Sequence, residues 1–211
     1  MIMRGFLCTL AVAAASAAGL LAVSGFTIAT RDPPPLTAVF GSTILTIPGR
    51  IVRDGSNHRT TGDIELGLLW PEMKPLRQRA AQDAGQAQIF VSLKLAQQEP
   101  LLSSSSGEFY GPFFEPETWA HPSGLIVRRF RETSPFRDEE IYLAPPEGRA
   151  FFARCAKAGA LLDTSAEHCL WLFGYRDVLV QARFAPELLA EWPQLQSKIE
   201  ALMASLAQAP K

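Results

Sequence analysis

Residues 168–184 read HCLWLFGYRDVLVQARF. The runs His168 to Tyr175 and Val178 to Phe184 are rich in aromatic and β-branched residues, and Arg176-Asp177 separates them, so the stretch predicts an antiparallel hairpin. Its first strand carries Cys169, and Cys155 closes the preceding apolar run from Phe151, itself a short strand or a helical turn. A bond between the two cysteines would close a loop of about 15 residues, worth roughly 3 kcal/mol on the chain-entropy model. Such a bond belongs to an oxidising compartment. The rival reading makes Cys169 a nucleophile with His168 as its base, but adjacent side chains on a strand point to opposite faces.

Outward from this hairpin the chain continues to read as sheet. Leu36 to Phe40 and Thr43 to Ile47 flank Gly41-Ser42, the signal of a tight hairpin, and Ile51-Val52 extends the second run. Ile64, Leu66, Leu68 and Trp70 alternate with Asp63, Glu65 and Gly67; Leu69 breaks the alternation and Pro71 ends it. Leu76 to Ala84 suits a short surface helix. Ile89 to Leu95 alternates with apolar character on both faces, the mark of a central strand. Leu125 to Arg131 and Glu140 to Leu143 are two more strands separated by a turn at Ser134-Pro135. After Phe184 the period changes. Pro186 suits a first helical turn, Pro193 kinks or restarts the helix, and Leu195, Ile199, Leu202 and Leu206 repeat on one face. The expected fold is α+β: a mainly antiparallel sheet of about six to eight strands covered by a C-terminal amphipathic helix.

The N-terminus has another chemistry. From Gly5 to Thr30 the only ionisable side chain is the thiol of Cys8, and Arg4 and Arg31 bracket the run. As a helix it would span about 39 Å at ~1.5 Å per residue, beyond the ~30 Å of hydrocarbon in a bilayer. Ala15-Ser16-Ala17 and Ala22-Val23-Ser24 also resemble signal-peptidase sites, but apolar character resumes past Ala17, so length favours a retained anchor over a cleaved signal. The expected organisation is a transmembrane signal-anchor over 1–31, a stiff Pro-rich spacer over 32–35 and one exported domain over 36–211. The weak positive-inside bias keeps the N-terminus in the cytoplasm.

Over the full 211 residues the net charge is −1, with basic residues concentrated only at Arg128–Arg131, so the field that holds a polyanion is missing and nucleic acid is not an expected partner. His58, His121 and His168 lack metal-site spacing, and no phosphate loop or nucleophile elbow occurs; neither metal nor cofactor is expected. Two surface features remain. Arg129 and Arg131 share one face of a strand, where they grip an anion or pair with Glu139 and Glu140. The segment containing Phe109, Tyr110, Phe113, Phe114 and Trp119 lies amid Gly and Pro, either exposing a rigid apolar patch for a protein, glycan or lipid or packing down over the sheet.

Ile44-Leu45-Thr46-Ile47-Pro48 before Arg50 and Arg53, then Asp63 to Pro71, then Phe151 to Cys155, Cys169 and Phe184 to Trp192, together resemble uncharacterised single-pass envelope proteins of alphaproteobacteria. The resemblance implies a periplasmic address and supplies no catalytic residues. The leading functional expectation is therefore a non-catalytic envelope binding module working through the aromatic segment. The alternatives are a periplasmic hydrolase of envelope polymers using acids such as Glu108, Glu115 or Glu117, or an immunity protein against an exported toxin.

Overall fold

A computed structural model describes residues 32–53, 63–76, 85–96, 109–157 and 169–207. The expected anchor over 1–31, the surface helix after Leu76, His58, Glu108 and His168 lie outside the described residues. Among the described residues, no helix is long and apolar enough to cross a membrane.

The described residues form eleven strands: β1 Leu36–Phe40, β2 Thr43–Ile47, β3 Ile64–Leu69, β4 Lys74–Pro75, β5 Gln88–Leu95, β6 Trp119–Ala120, β7 Ile126–Arg129, β8 Glu139–Leu143, β9 Phe152–Ala156, β10 Cys169–Tyr175 and β11 Val178–Phe184. β1 and β2 make a two-stranded sheet, and the other nine form one antiparallel sheet in the order β4-β3-β5-β11-β10-β9-β8-β7-β6. The count exceeds the expected six to eight partly because β4 and β6 are two-residue edge strands, too short to leave a period in the sequence. β5 sits between β3 and β11, as its two apolar faces require.

One face of the large sheet is closed by the helix α1, Trp192–Leu206, together with the β1–β2 hairpin. Leu66, Leu68, Val91, Leu93, Val180, Phe184 and Trp171 meet Leu195, Ile199 and Met203 of α1 and Phe40, Leu45 and Ile47 of the hairpin in one core. The sequence stripe is corrected by one position: Met203, not Leu202, is the fully buried member of its turn, because the rows of the helix surface run through 195, 199, 203 and 206. Pro193 restarts the helix instead of kinking it, since Pro186–Glu191 forms a separate 3-10 turn and Pro193 stands in the first turn of α1 where its missing N–H costs nothing. Ile51-Val52 does not extend β2. Gly49–Ile51 is a 3-10 turn and Val52 bridges to Leu66, a path that brings Gly49 so close to the carbonyls of Pro33 and Pro34 that a Cβ would clash.

The two hairpin tips are fastened to each other. Gly41 takes φ +57° in the β1–β2 turn, and Asp177 from the β10–β11 turn accepts from the Ser42 amide at 2.8 Å and the Thr43 hydroxyl at 3.1 Å. These hydrogen bonds, with the Ser42 side chain foremost, hold the Asp177 carboxyl below its ordinary value of 3.8. Cys155 and Cys169 are direct partners in the β9–β10 register, and their sulfurs are bonded. Phe152–Ala156 is thus a strand, not a helical turn.

Candidate functional site: the aromatic edge of the sheet

The segment from Phe109 to Ala120 is no independent loop; it forms the outer margin of the sheet beside β7. The Arg131 amide donates to the Phe113 carbonyl at 2.9 Å, the Glu115 amide donates to the Arg129 carbonyl at 2.9 Å, and Phe114 bridges to Phe130. Further along, Trp119 and Ala120 pair with Val127 and Ile126. Between these stretches stands Pro116, which has no N–H to donate and breaks the ladder. That is a common device for closing an edge against strand addition.

Phe109, Tyr110 and Phe113 stand in a helical turn that leads into the edge, Phe114 and Trp119 pair on the edge itself, and the five aromatics divide between the two faces. Tyr110 and Phe114 turn away from α1 into a second cluster with Phe130, Ile141 and Phe152, flanked by Phe113, Phe136 and Leu143. Tyr110 lies at its centre: its ring centroid is 4.9 Å from Phe109, 5.2 Å from Phe136, 5.6 Å from Phe130 and 6.3 Å from Phe152. The first three are edge-to-face and the Phe152 pair is stacked; aromatic pairs of these kinds add about 0.5–1.5 kcal/mol each to the burial of the rings.

The Tyr110 hydroxyl accepts from the Arg154 guanidinium at 3.0 Å, and Arg154 Nε lies 3.1 Å from Glu139 Oε2. Burial pushes the Glu139 carboxyl above its ordinary value of 4.5, an effect that Arg154 partly offsets. Arg128 covers the Phe114 ring at 4.6 Å and donates to the Glu115 carbonyl at 3.2 Å.

Trp119 goes to the helix-side face. The Arg129 guanidinium lies 4.4 Å above its ring while Arg129 Nε donates to Glu140 at 2.9 Å. The Tyr142 hydroxyl donates to the other Glu140 oxygen at 3.0 Å, and burial followed by the Glu140 charge pushes the Tyr142 hydroxyl up to about 12. His121 stands edge-on to Tyr142 at 5.5 Å with its Nδ1 2.6 Å from the Ser123 hydroxyl. The Trp192 indole N–H, at the start of α1, donates to the Ser123 carbonyl at 3.1 Å.

The candidate site residues that are described now have a place. Phe109, Tyr110, Phe113, Phe114 and Trp119 do not form a common surface: Tyr110 and Phe114 are core, Trp119 faces the other way, and Phe109 at 54% exposure with half-buried Phe113 is what the cluster offers to solvent. Arg129 pairs with Glu140, and Arg131, exposed past the end of β7, has no carboxylate partner among the described residues. Glu115 is half-buried and Glu117 exposed at the Pro116 break. Among the described residues, no group of three or more His, Cys, Asp or Glu side chains is placed to hold a metal ion.

Sequence reasoning missed Phe130, Phe136 and Arg154. Phe130 carried a signal, being an aromatic one residue from Arg129 and so on the opposite face. Phe136 and Arg154 carried none, because they meet Tyr110 only through the strand order.

The fold and its edge cluster define a class: a disulfide-bonded α+β protein whose long antiparallel sheet is covered by a helix and a hairpin on one face and bears an aromatic cluster on the other. No family model matches the chain, and comparison with curated proteins finds no match. Among solved structures the chain is similar to an immunity protein of the Stenotrophomonas maltophilia type IV secretion system, with a TM-score of 0.60 at 14% identity over 84% of this chain and 95% of that chain. The likeness is one of fold.

Proposed function

We propose that this chain is an envelope binding protein of the immunity type, which protects the cell by occupying an exported toxin instead of performing chemistry on a substrate. The observation that carries the reading is the fold shared with a secretion-system immunity protein over nearly the whole length of that chain. It favours this reading over the general binding module and over the hydrolase. The buried sulfur–sulfur bond supports an oxidising, periplasmic site of action. In this reading residues 5–30 deliver and tether the domain, as the resemblance to alphaproteobacterial envelope proteins also implies.

The contact surface we assign is the exposed margin of the aromatic cluster. Phe109 and Phe113 are apolar anchors that touch each other and are held from behind by Phe136, with Tyr110 against Phe109, and rigid aromatic anchors lose little entropy on binding. The test is protection. An exported effector encoded beside this chain's gene, expressed in the periplasm, should arrest growth, and co-expression of the full chain should restore it. Growth that stays arrested, with no complex recovered by crosslinking at Phe109, rejects the reading.

A further inference from the structure

Among the described residues three large hydrophobic side chains stand more than half exposed: Val39 at 51%, Ile44 at 58% and Phe109 at 54%. Phe109 belongs to the aromatic edge. The other two are direct cross-strand partners in the β1–β2 hairpin, and the next pair on the same face is Thr37 opposite Thr46. Alternation makes this the outward face, since Ala38, Phe40, Leu45 and Ile47 of the same strands point into the helix-side core. A hairpin face turned to water ordinarily carries polar or charged side chains, and ribbons with free edges carry charges that repel further strands. From Leu36 to Pro48 there is no ionisable side chain.

The chain leading into this hairpin is held to the domain. Asp32 pairs with Arg50 at 3.8 Å, and the carbonyls of Pro33 and Pro34 lie against Gly49 where a Cβ would clash, so residues 32–34 are packed beside the base of the hairpin. Even fully extended, the four residues of the spacer would reach about 12 Å. Arg31 alone separates Asp32 from the uncharged run that ends at Thr30.

We propose that the outward face of the β1–β2 hairpin, with Val39 and Ile44 at its centre, is the face on which the domain rests against the lipid of the bilayer. The inference rests on the reading that residues 5–30 tether the domain, and it adds which way the domain is turned. Two apolar side chains form a patch too small to bring a free protein to a membrane, but a short tether makes the contact intramolecular and keeps the patch at high effective concentration. At the headgroup boundary Val39 and Ile44 leave water, while Thr37 and Thr46 keep hydrogen-bonding partners among headgroups and interfacial water. The aromatic cluster lies on the other side of the sheet, so with the hairpin against the bilayer Phe109 and Phe113 are turned away from lipid and toward a partner.

The experiment uses the full chain in phosphatidylcholine nanodiscs on a Cys8→Ala background, with a nitroxide at one of Val39→Cys, Ile44→Cys or Glu132→Cys, the last an exposed position past β7. Recovery of the chain with the disc reports the tether, and collision of the nitroxide with a water-soluble nickel chelate reports the face. Labels at 39 and 44 should meet nickel about tenfold less often than the label at 132, as placement in the headgroup boundary requires. Val39→Asp/Ile44→Asp should raise nickel collision at a Thr37→Cys label to the level at 132 and leave the chain in the disc. A chain in the disc whose labels at 39 and 44 meet nickel as freely as 132 overturns the proposal and leaves the tether standing. Shielding at 39 and 44 accompanied by dipolar coupling between Ile44→Cys labels of two chains overturns it in favour of a second copy. A Thr37→Cys label unmoved by the two aspartates overturns it by showing that the tether alone sets the position. A chain that does not stay with the disc rejects the tether, and the inference with it.

Discussion

The two faces of the long sheet are covered by different chemistry. Toward α1, aliphatic side chains from five strands, a hairpin and a helix interlock, and contacts are spread over residues far apart in the chain. On the opposite face, at the β7–β9 end, a small set of aromatic rings packs around Tyr110, nearly all of it drawn from residues 109–152. The helix-side core decides whether the protein folds. The aromatic cluster decides what one edge of the folded protein looks like, and its local origin is why it can present rings to solvent without endangering the rest.

The largest expected effect comes from cutting into the helix-side core. Trp171→Ala removes a buried ring that stacks on Phe173 and lies against Phe151, and should cost about 3–5 kcal/mol, seen as a shifted denaturant midpoint with all probes moving together.

On the other face, Tyr110→Phe keeps the ring and deletes the oxygen that accepts from Arg154. A loss of about 0.5–1.5 kcal/mol is expected. In a double-mutant cycle with Arg154→Met that loss should disappear; if it persists, the hydroxyl does not couple the cluster to β9.

Acid should separate the two faces by sign. Glu139, on the aromatic side, has a carboxyl raised above 4.5, so its stabilising contribution is present below 4.5 and is lost as pH rises through the folded value. Asp177, fastening the hairpin on the helix side, is held below 3.8, so its contribution is present above 3.8 and is lost as pH falls through the folded value. Urea midpoints across the acid range should therefore lose their rise near 4.5 in Glu139→Gln and their fall below 3.8 in Asp177→Asn. Curves that keep their shape would remove both assignments.

The smallest effect on stability, within about 0.5 kcal/mol, is expected for Phe109→Ser, since most of that ring already faces water. The same substitution should abolish capture of the partner. Unchanged capture would move the binding surface elsewhere and leave the cluster as packing only.

Much of the architecture was legible because it rests on local rules. The alternation of Ile89 to Leu95 placed β5 in the middle of the sheet, and Gly41-Ser42 marked a turn that needs positive φ. Pro186 and the 195–199–206 repeat announced the C-terminal helix. β4 and β6 were invisible because a two-residue strand has no period, and Ile51-Val52 misled because β-branched residues also suit the turn that Gly49 makes beside the spacer. The site was legible in composition only. Five aromatics close together in the chain were noticed, but their division between two faces was not, since that depends on the segment pairing with β7 and on Pro116 interrupting it.

The amino-acid sequence by itself determined the class of fold, the pairing of Cys155 with Cys169 and the face that α1 buries, since each follows from periodicity, from chain closure or from the chemistry of single residues. Only the tertiary structure decided the order of the strands, and with it that Arg154 meets Tyr110, that Arg129 is spent on Glu140 and that the disulfide links directly opposed residues of β9 and β10. The reason is physical: an antiparallel ladder places no restriction on which distant strand becomes the neighbour, so contacts between faces are set by how the whole chain buries its apolar surface at once.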